Sequence, residues 1–222
     1  MEITPIATFH SPFNEKFGIP RQSGIVGALE GSIMFEPHFR NPDFIRGIEE
    51  FDYLWIIWGF SANKHAATSP TVRPPRLGGN TRIGVYATRS PYRHNSLGLS
   101  AVKLARVELN TPQGPIIHVN GADLMNGTPI YDIKPYIAYA DSHPDARSGF
   151  VDNNDWNQLE VYIPQEVEKM FTKQQLEALR QSLALDPRPH YHDDPTKVYG
   201  MRFAGHNIHF TVDEKVLRVI NL

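Results

Sequence analysis

Tyr53-Leu54-Trp55-Ile56-Ile57-Trp58-Gly59-Phe60 is the longest apolar run in the chain. It is rich in β-branched and aromatic residues and ends near glycine, so it reads as a strand rather than a helix, and as one buried on both faces. It falls well short of the ~20 apolar residues needed for a membrane-spanning helix. Working outward, short apolar or alternating segments recur at residues 4–9, 31–35, 82–87, 99–109, 116–119 and 128–133, divided by Gly, Pro and Asn. Residues 100–109 alternate, as a half-buried strand does. Many short strands with turn signals between them, and no regular strand–helix alternation, predict a mainly β fold, either a barrel or a sandwich.

A helix is written plainly only later. In Thr172-Lys173-Gln174-Gln175, Thr172 is positioned as an N-cap and Gln175 completes a capping box. Leu176, Leu179 and Leu183 form an apolar stripe at helical spacing, and Asp186-Pro187 stops it. Residues 198–203 and 207–212 flank Ala204-Gly205-His206 as a hairpin, and 216–220 offers a further strand. The polar stretch from Phe150 to Asn157 marks a boundary. The division is therefore residues 1–150 as a β domain and residues 151–222 as a small α+β module.

Composition narrows the chemistry. The chain has 222 residues and no cysteine, which removes disulfides, thiolate metal sites and a cysteine nucleophile. Met1-Glu2-Ile3-Thr4-Pro5 lacks the basic-then-apolar pattern of a signal peptide, and the expected location is cytoplasmic. The net charge is only −2. Yet no Asp or Glu lies between Asp52 and Glu108, a stretch that holds Lys64, Arg73, Arg76, Arg82, Arg89, Arg93, Lys103 and Arg106. Such a field attracts a polyanion, and arginine forks suit phosphates and stack on bases. The competing reading is a solvated basic face paired with acids from elsewhere in the chain.

Four constellations are able to carry chemistry. Pro74-Pro75-Arg76-Leu77-Gly78-Gly79-Asn80 is an ordered loop, but neither a P-loop nor a dinucleotide fingerprint. The stretch Arg89-Ser90-Pro91-Tyr92-Arg93-His94-Asn95-Ser96-Leu97-Gly98-Leu99-Ser100 packs two guanidiniums, an imidazole and a carboxamide into its first seven residues, between two strands, where loops commonly host sites. In the segment from Asp123 to Tyr136, Asn126-Gly127 is a turn, and Asp132, Lys134 and Tyr136 share one face of an extended chain. These three form either a ligand or proton site, or a surface ion pair beside a packed ring. His190-Tyr191-His192-Asp193-Asp194 has the composition of a metal site without its spacing, so no metal is expected. A serine-nucleophile elbow and paired glycosidase carboxylates are both missing.

Five blocks resemble the TsaA-like family, also called TrmO. They are Pro20-Arg21-Gln22-Ser23-Gly24; Tyr53-Leu54-Trp55; Val72-Arg73-Pro74-Pro75; Thr88-Arg89-Ser90-Pro91 with Asn95-Ser96-Leu97-Gly98-Leu99-Ser100; and Gly127-Thr128-Pro129 with Asp132-Ile133-Lys134-Pro135-Tyr136. They cover residues 2–148, and Asp186-Pro187-Arg188-Pro189 resembles the C-terminal module of bacterial members. The resemblance implies an N-terminal β-barrel and a homodimer using S-adenosylmethionine. It also implies methylation of the exocyclic nitrogen of threonylcarbamoyladenosine beside the tRNA anticodon. By block, it places Pro20, Arg21, Gln22, Lys64, His65, Arg89, Leu99, Asp132, Ile133, Lys134 and Pro135 at the cofactor. Asp132, Tyr136, Asn95 and His65 are then candidates to accept a proton or hydrogen bond, and Arg73, Arg76 and Arg93 to hold RNA phosphates or the threonyl carboxylate. The competing classes are a non-catalytic RNA- or nucleotide-binding barrel and a metal-dependent hydrolase built on residues 190–194.

Overall fold

A computed structural model describes residues 2–63, 69–74, 77, 80–152, 158–188 and 194–222. The first part carries β1 (Ala7–His10), β2 (Glu30–Phe35), β3 (Tyr53–Gly59), a small pair β4 (Thr71–Val72) and β5 (Ile83–Gly84), then β6 (Leu97–Glu108), β7 (Ile116–Asn120) and β8 (Thr128–Pro135). Six of these close into an antiparallel barrel in the order β1-β2-β7-β6-β3-β8, with β8 pairing back onto β1. Closure leaves no open sheet edge. Phe9, Ile33, Leu54, Ile56, Ile117 and Ile130 fill the interior, each essentially inaccessible. A barrel of so few strands is packed by its own side chains and encloses no ligand.

β3 departs from its expected burial on both faces. Leu54, Ile56 and Trp58 point inward, whereas Tyr53 is 44% exposed and Trp55 and Ile57 are only partly covered. The run is apolar because its inner face builds the barrel core while its outer face carries aromatic and aliphatic side chains at the surface. Residues 82–87, expected as a strand, form only the two residues of β5 and then a 3-10 turn, Val85–Ala87, anchored by buried Val85.

α1 (Ala138–Asp141) follows the barrel, and the Asp141 carboxylate ties it down. That group accepts the Trp55 indole N–H at 3.0 Å and the Ile137 N–H at 2.8 Å, which hold it below the usual carboxylate range. The second module is a sheet ordered β10 (Tyr199–Phe203), β11 (His206–Asp213), β12 (Val216–Asn221) and β9 (Glu160–Tyr162), the last pair parallel. α2 (Gln165–Glu168) and α3 (Lys173–Ala184) complete it. The capping box is present in both directions, with Gln175 N–H on Thr172 Oγ1 at 3.2 Å and Thr172 N–H on Gln175 Oε1 at 3.0 Å.

Residues 12–29 leave the barrel between β1 and β2 and enter the core of this second module. Phe13 is fully buried there, its ring edge-on to Phe203 at 5.1 Å, while Phe17 stacks on Phe210. Gly18 has φ +89°, and a Cβ at that position would sit 2.1 Å from Met201 Sδ. The same loop is stitched to the barrel rim: Gly24 N–H donates to Gly121 O and Asn126 N–H to Phe13 O, each at 2.8 Å. Phe13→Ala should therefore destabilise the protein by about 3–5 kcal/mol, the usual cost of emptying a buried Phe site. Denaturant unfolding is the check, and a loss under about 1 kcal/mol would show that the loop does not support the second core.

Candidate cofactor and RNA site

Trp58 brings an indole N–H to the end of the barrel interior, where a donor must find a partner. The partner is buried Ser100 Oγ at 2.9 Å, and the Ser100 hydroxyl in turn donates to Asp123 Oδ1 at 2.6 Å. Gly98 pairs with Trp58 across the ladder, and a Cβ there would meet the indole ring at 2.3 Å. Asp123 also accepts the Ser23 N–H and faces the Arg89 guanidinium. Arg89 donates through Nη1 to Gln22 Oε1 at 2.5 Å. This network joins the 20–24 loop, the 88–96 loop, β6 and the segment leading to β8.

Of its members, Gln22 and Arg89 were among the expected site residues; Ser100 and Asp123 fell within the segments singled out, and Trp58 within the apolar run, but none of the three was given a role. The available signal was Ser100 itself, a polar residue at the inward position before Val102 in an alternating strand. Such a residue requires a buried partner.

The outer face of the barrel holds the second group. Ile57 pairs with Leu99 on one side and Asp132 on the other, so the three form one outward row. The next row is Ala101, Trp55 and Lys134. A bulge in β8 between the Ile130 and Asp132 pairings sets this phase, as bulges do where a side chain is re-aimed. Asp132 Oδ2 lies 3.1 Å from Lys134 Nζ, and Asp132 Oδ1 accepts the Ile133 N–H at 2.9 Å. Ile133 packs inward on the barrel core, so only its backbone reaches the outer face. Pro135 is exposed at the strand end. Tyr136 lies 5.6 Å from Trp55 and 6.0 Å from Tyr53 between ring centroids, so Asp132, Lys134 and Tyr136 do share one side.

Other expected residues are more scattered. Pro20 is buried, and Arg21 turns toward Asp186 at the end of α3, beside a hollow of about 180 Å³. That is smaller than the ~300–1,000 Å³ of most small-molecule sites. Arg93 donates to Thr88 O at 3.2 Å, so part of its guanidinium is committed to its own loop. Asn95 and Arg73 are exposed. Lys64, His65 and Arg76 lie outside the described residues, as does the His190–Asp193 part of the histidine cluster. Among the described residues, no group of three His, Cys, Asp or Glu side chains is placed to hold a metal.

The model of the tRNA-methyltransferase O N-terminal domain matches residues 8–142, and that of the TrmO C-terminal domain matches residues 156–222. The chain belongs to the TrmO family. It is 36% identical over 225 residues to the tRNA (adenine(37)-N6)-methyltransferase of Escherichia coli K12, covering 98% of this chain and 95% of that one. A Pseudomonas aeruginosa relative, 35% identical over 94% of this chain and 91% of its own, carries S-adenosylmethionine-dependent methyltransferase in its name. The crystal structure of TrmO from Pseudomonas aeruginosa superimposes with a TM-score of 0.78 at 29% identity, covering 100% of this chain and 98% of that one. The match thus spans both modules of this TrmO-family chain.

Burial, the largest influence, pushes the Asp123 carboxyl above the ordinary aspartate range, while the Ser100 hydroxyl, Arg89 and the Ser23 N–H pull the other way. An acid whose pKa is raised by folding favours the native state while protonated, and that contribution is lost as pH climbs through the raised value. The stability of the wild type relative to Asp123→Asn should therefore fall as pH rises from about 3.9 toward neutrality. Thermal melts of both proteins across that range check the sign; a constant difference would mean the carboxyl is not shifted by the fold.

Proposed function

We propose that this chain transfers a methyl group from S-adenosylmethionine to the exocyclic nitrogen of adenine 37 in tRNA bearing the threonylcarbamoyl group. The observation that carries the reading is the meeting of family blocks in space. Loops that are far apart in sequence converge through Gln22, Arg89 and Asp123, and β6 carries both Ser100, which joins that network from the inner face, and Leu99, which shares the outer row with Asp132. The names of the relatives supply the reaction class and the cofactor.

The residues suit that cofactor. Leu99 and Ile57 offer an apolar floor, Asp132 an anion for its cationic end, and the Ile133–Pro135 backbone the polar groups that can read an adenine. When bound, the cofactor supplies a methyl on a sulfonium, open to in-line displacement. The protein's part is then largely alignment of the acceptor nitrogen. That nitrogen carries a carbonyl substituent and gives up a proton as it gains the methyl. Asp132 is the best-placed acceptor on the outer face, held by Lys134; Tyr136 and the exposed Asn95 carboxamide are the remaining hydrogen-bonding groups. Arg73, Arg76 and Arg93 contact the RNA backbone or the threonyl carboxylate, and the site of action is the cytoplasm, where the substrate is.

The working unit is a homodimer. Leu99 is 58% exposed and Tyr53 44% on the outer β3–β6 face. Exposed apolar side chains such as these suit a subunit interface, and a second subunit would close over the open outer face. Sedimentation equilibrium at micromolar concentration should give twice the chain mass, and Leu99→Glu should give monomers; a monomeric wild type ends the dimer reading. For the activity, the protein is incubated with S-adenosylmethionine and tRNA with or without the threonylcarbamoyl group, and nucleosides are weighed by mass spectrometry. A methyl gain confined to the modified tRNA is expected. No gain on that tRNA overturns the proposal.

A further inference from the structure

Tyr86 and Tyr92 are two exposed aromatic side chains on the loops of the acid-free stretch. Tyr86 is 80% exposed and Tyr92 57% exposed. A lone exposed aromatic is ordinary. These two differ in what holds them. Tyr86 sits on the 3-10 turn whose Val85 is buried, and the Val85 N–H donates to Pro70 O at 3.0 Å. Thr88 Oγ1 donates to Val85 O at 2.9 Å and accepts the Ser90 N–H at 3.3 Å. Ser90 Oγ then accepts the Tyr92 N–H at 3.2 Å, and Asn63 Nδ2 donates to Pro91 O at 3.3 Å. Two consecutive turns are thus stitched through Thr88, which holds the residues flanking Tyr86 and the backbone of Tyr92 while both rings stay exposed to solvent.

The surroundings select the partner. Arg82, Arg89 and Arg93 lie on or beside these turns, and the stretch itself holds no carboxylate, although Asp123 from outside it faces Arg89. A cationic surface with pinned, exposed rings matches single-stranded RNA, whose phosphates meet the guanidiniums and whose splayed bases stack on aromatic faces. We infer that Tyr86 and Tyr92 are stacking platforms for unpaired bases of the substrate RNA loop, working beside the arginines rather than at the cofactor. The inference rests on the tRNA reading above and adds the residues that grip the loop. Stacking is neutral with respect to charge, so it leaves a signature unlike that of an arginine. Its loss weakens binding without changing the number of counterions released.

The test uses the full chain with a fluorescent single-stranded RNA of anticodon-loop length and, separately, whole tRNA, each titrated at several salt concentrations. The double variant Tyr86→Ala/Tyr92→Ala should weaken RNA binding roughly ten-fold or more, with the slope of log affinity against log salt unchanged. Tyr86→Phe/Tyr92→Phe should recover most of the loss, because the ring is kept. S-adenosylmethionine affinity by calorimetry and the melting temperature should match the wild type. Unchanged RNA affinity in the Ala variant, a flattened salt slope, or Phe variants as weak as Ala would each overturn the inference, as would a change in oligomeric state in place of RNA affinity. Wild-type protein that binds neither RNA would instead fail the tRNA reading itself.

Discussion

The ladder that returns β8 to β1 closes a six-stranded barrel, and a barrel this narrow is solid. Its interior is spent on Phe9, Ile33, Leu54, Ile56, Ile117 and Ile130, so nothing can bind inside. Every chemical group must then lie on the outer face or at the rim, positioned by strands that cannot slide. A one-residue slip would turn the whole inner set outward, so the core fixes the register. Register in turn places Leu99, Ile57 and Asp132 in one outward row. Burial energy that builds the barrel thereby also aims this outward row.

The strand inventory was legible because each strand carries a local signal. β2, β6, β7 and β8 lie close to the segments that alternation and turn residues mark out. What could not be read was which side of β3 met the core. Its outer residues Trp55 and Ile57 are as apolar as its inner ones, and composition cannot distinguish a fully covered face from a partly exposed one. β9 was invisible for a different reason: three residues pairing in parallel with β12, more than fifty positions away, leave no local pattern.

The site was legible in the same uneven way. The loop blocks and the outward trio Asp132, Lys134 and Tyr136 follow from sequence, because alternation on an extended strand is a local rule. The Trp58–Ser100–Asp123 chain does not, since its links span 42 and 23 residues and depend on the barrel's closure. It is a buried polar network, and such a network has to be satisfied at every member. Trp58 gives its only side-chain N–H, Ser100 both accepts and donates, and Asp123 ends the chain with a carboxyl group that Arg89 faces. The partly buried carboxylate is costly in isolation and is tolerated because several donors converge on it.

The second module is bound to this network more closely than its place at the end of the chain suggests. Residues 12–29 give Phe13, Phe17 and Ile19 to the core of the second module. Four positions after Ile19, Ser23 donates its N–H to Asp123, and Gln22 beside it receives Arg89. Four residues of extended chain reach about 14 Å at most. The module cannot shift far from the barrel without moving the 20–24 loop, and the loop cannot move without opening the Asp123 contacts. The helix supplies a further tether, since Gln174 in the first turn of α3 donates to Glu30 Oε2 on β2 at 3.0 Å. The C-terminal module is therefore part of what sets the geometry of Gln22 and Arg89, and a barrel lacking it would lose the packing that holds the 20–24 loop in place.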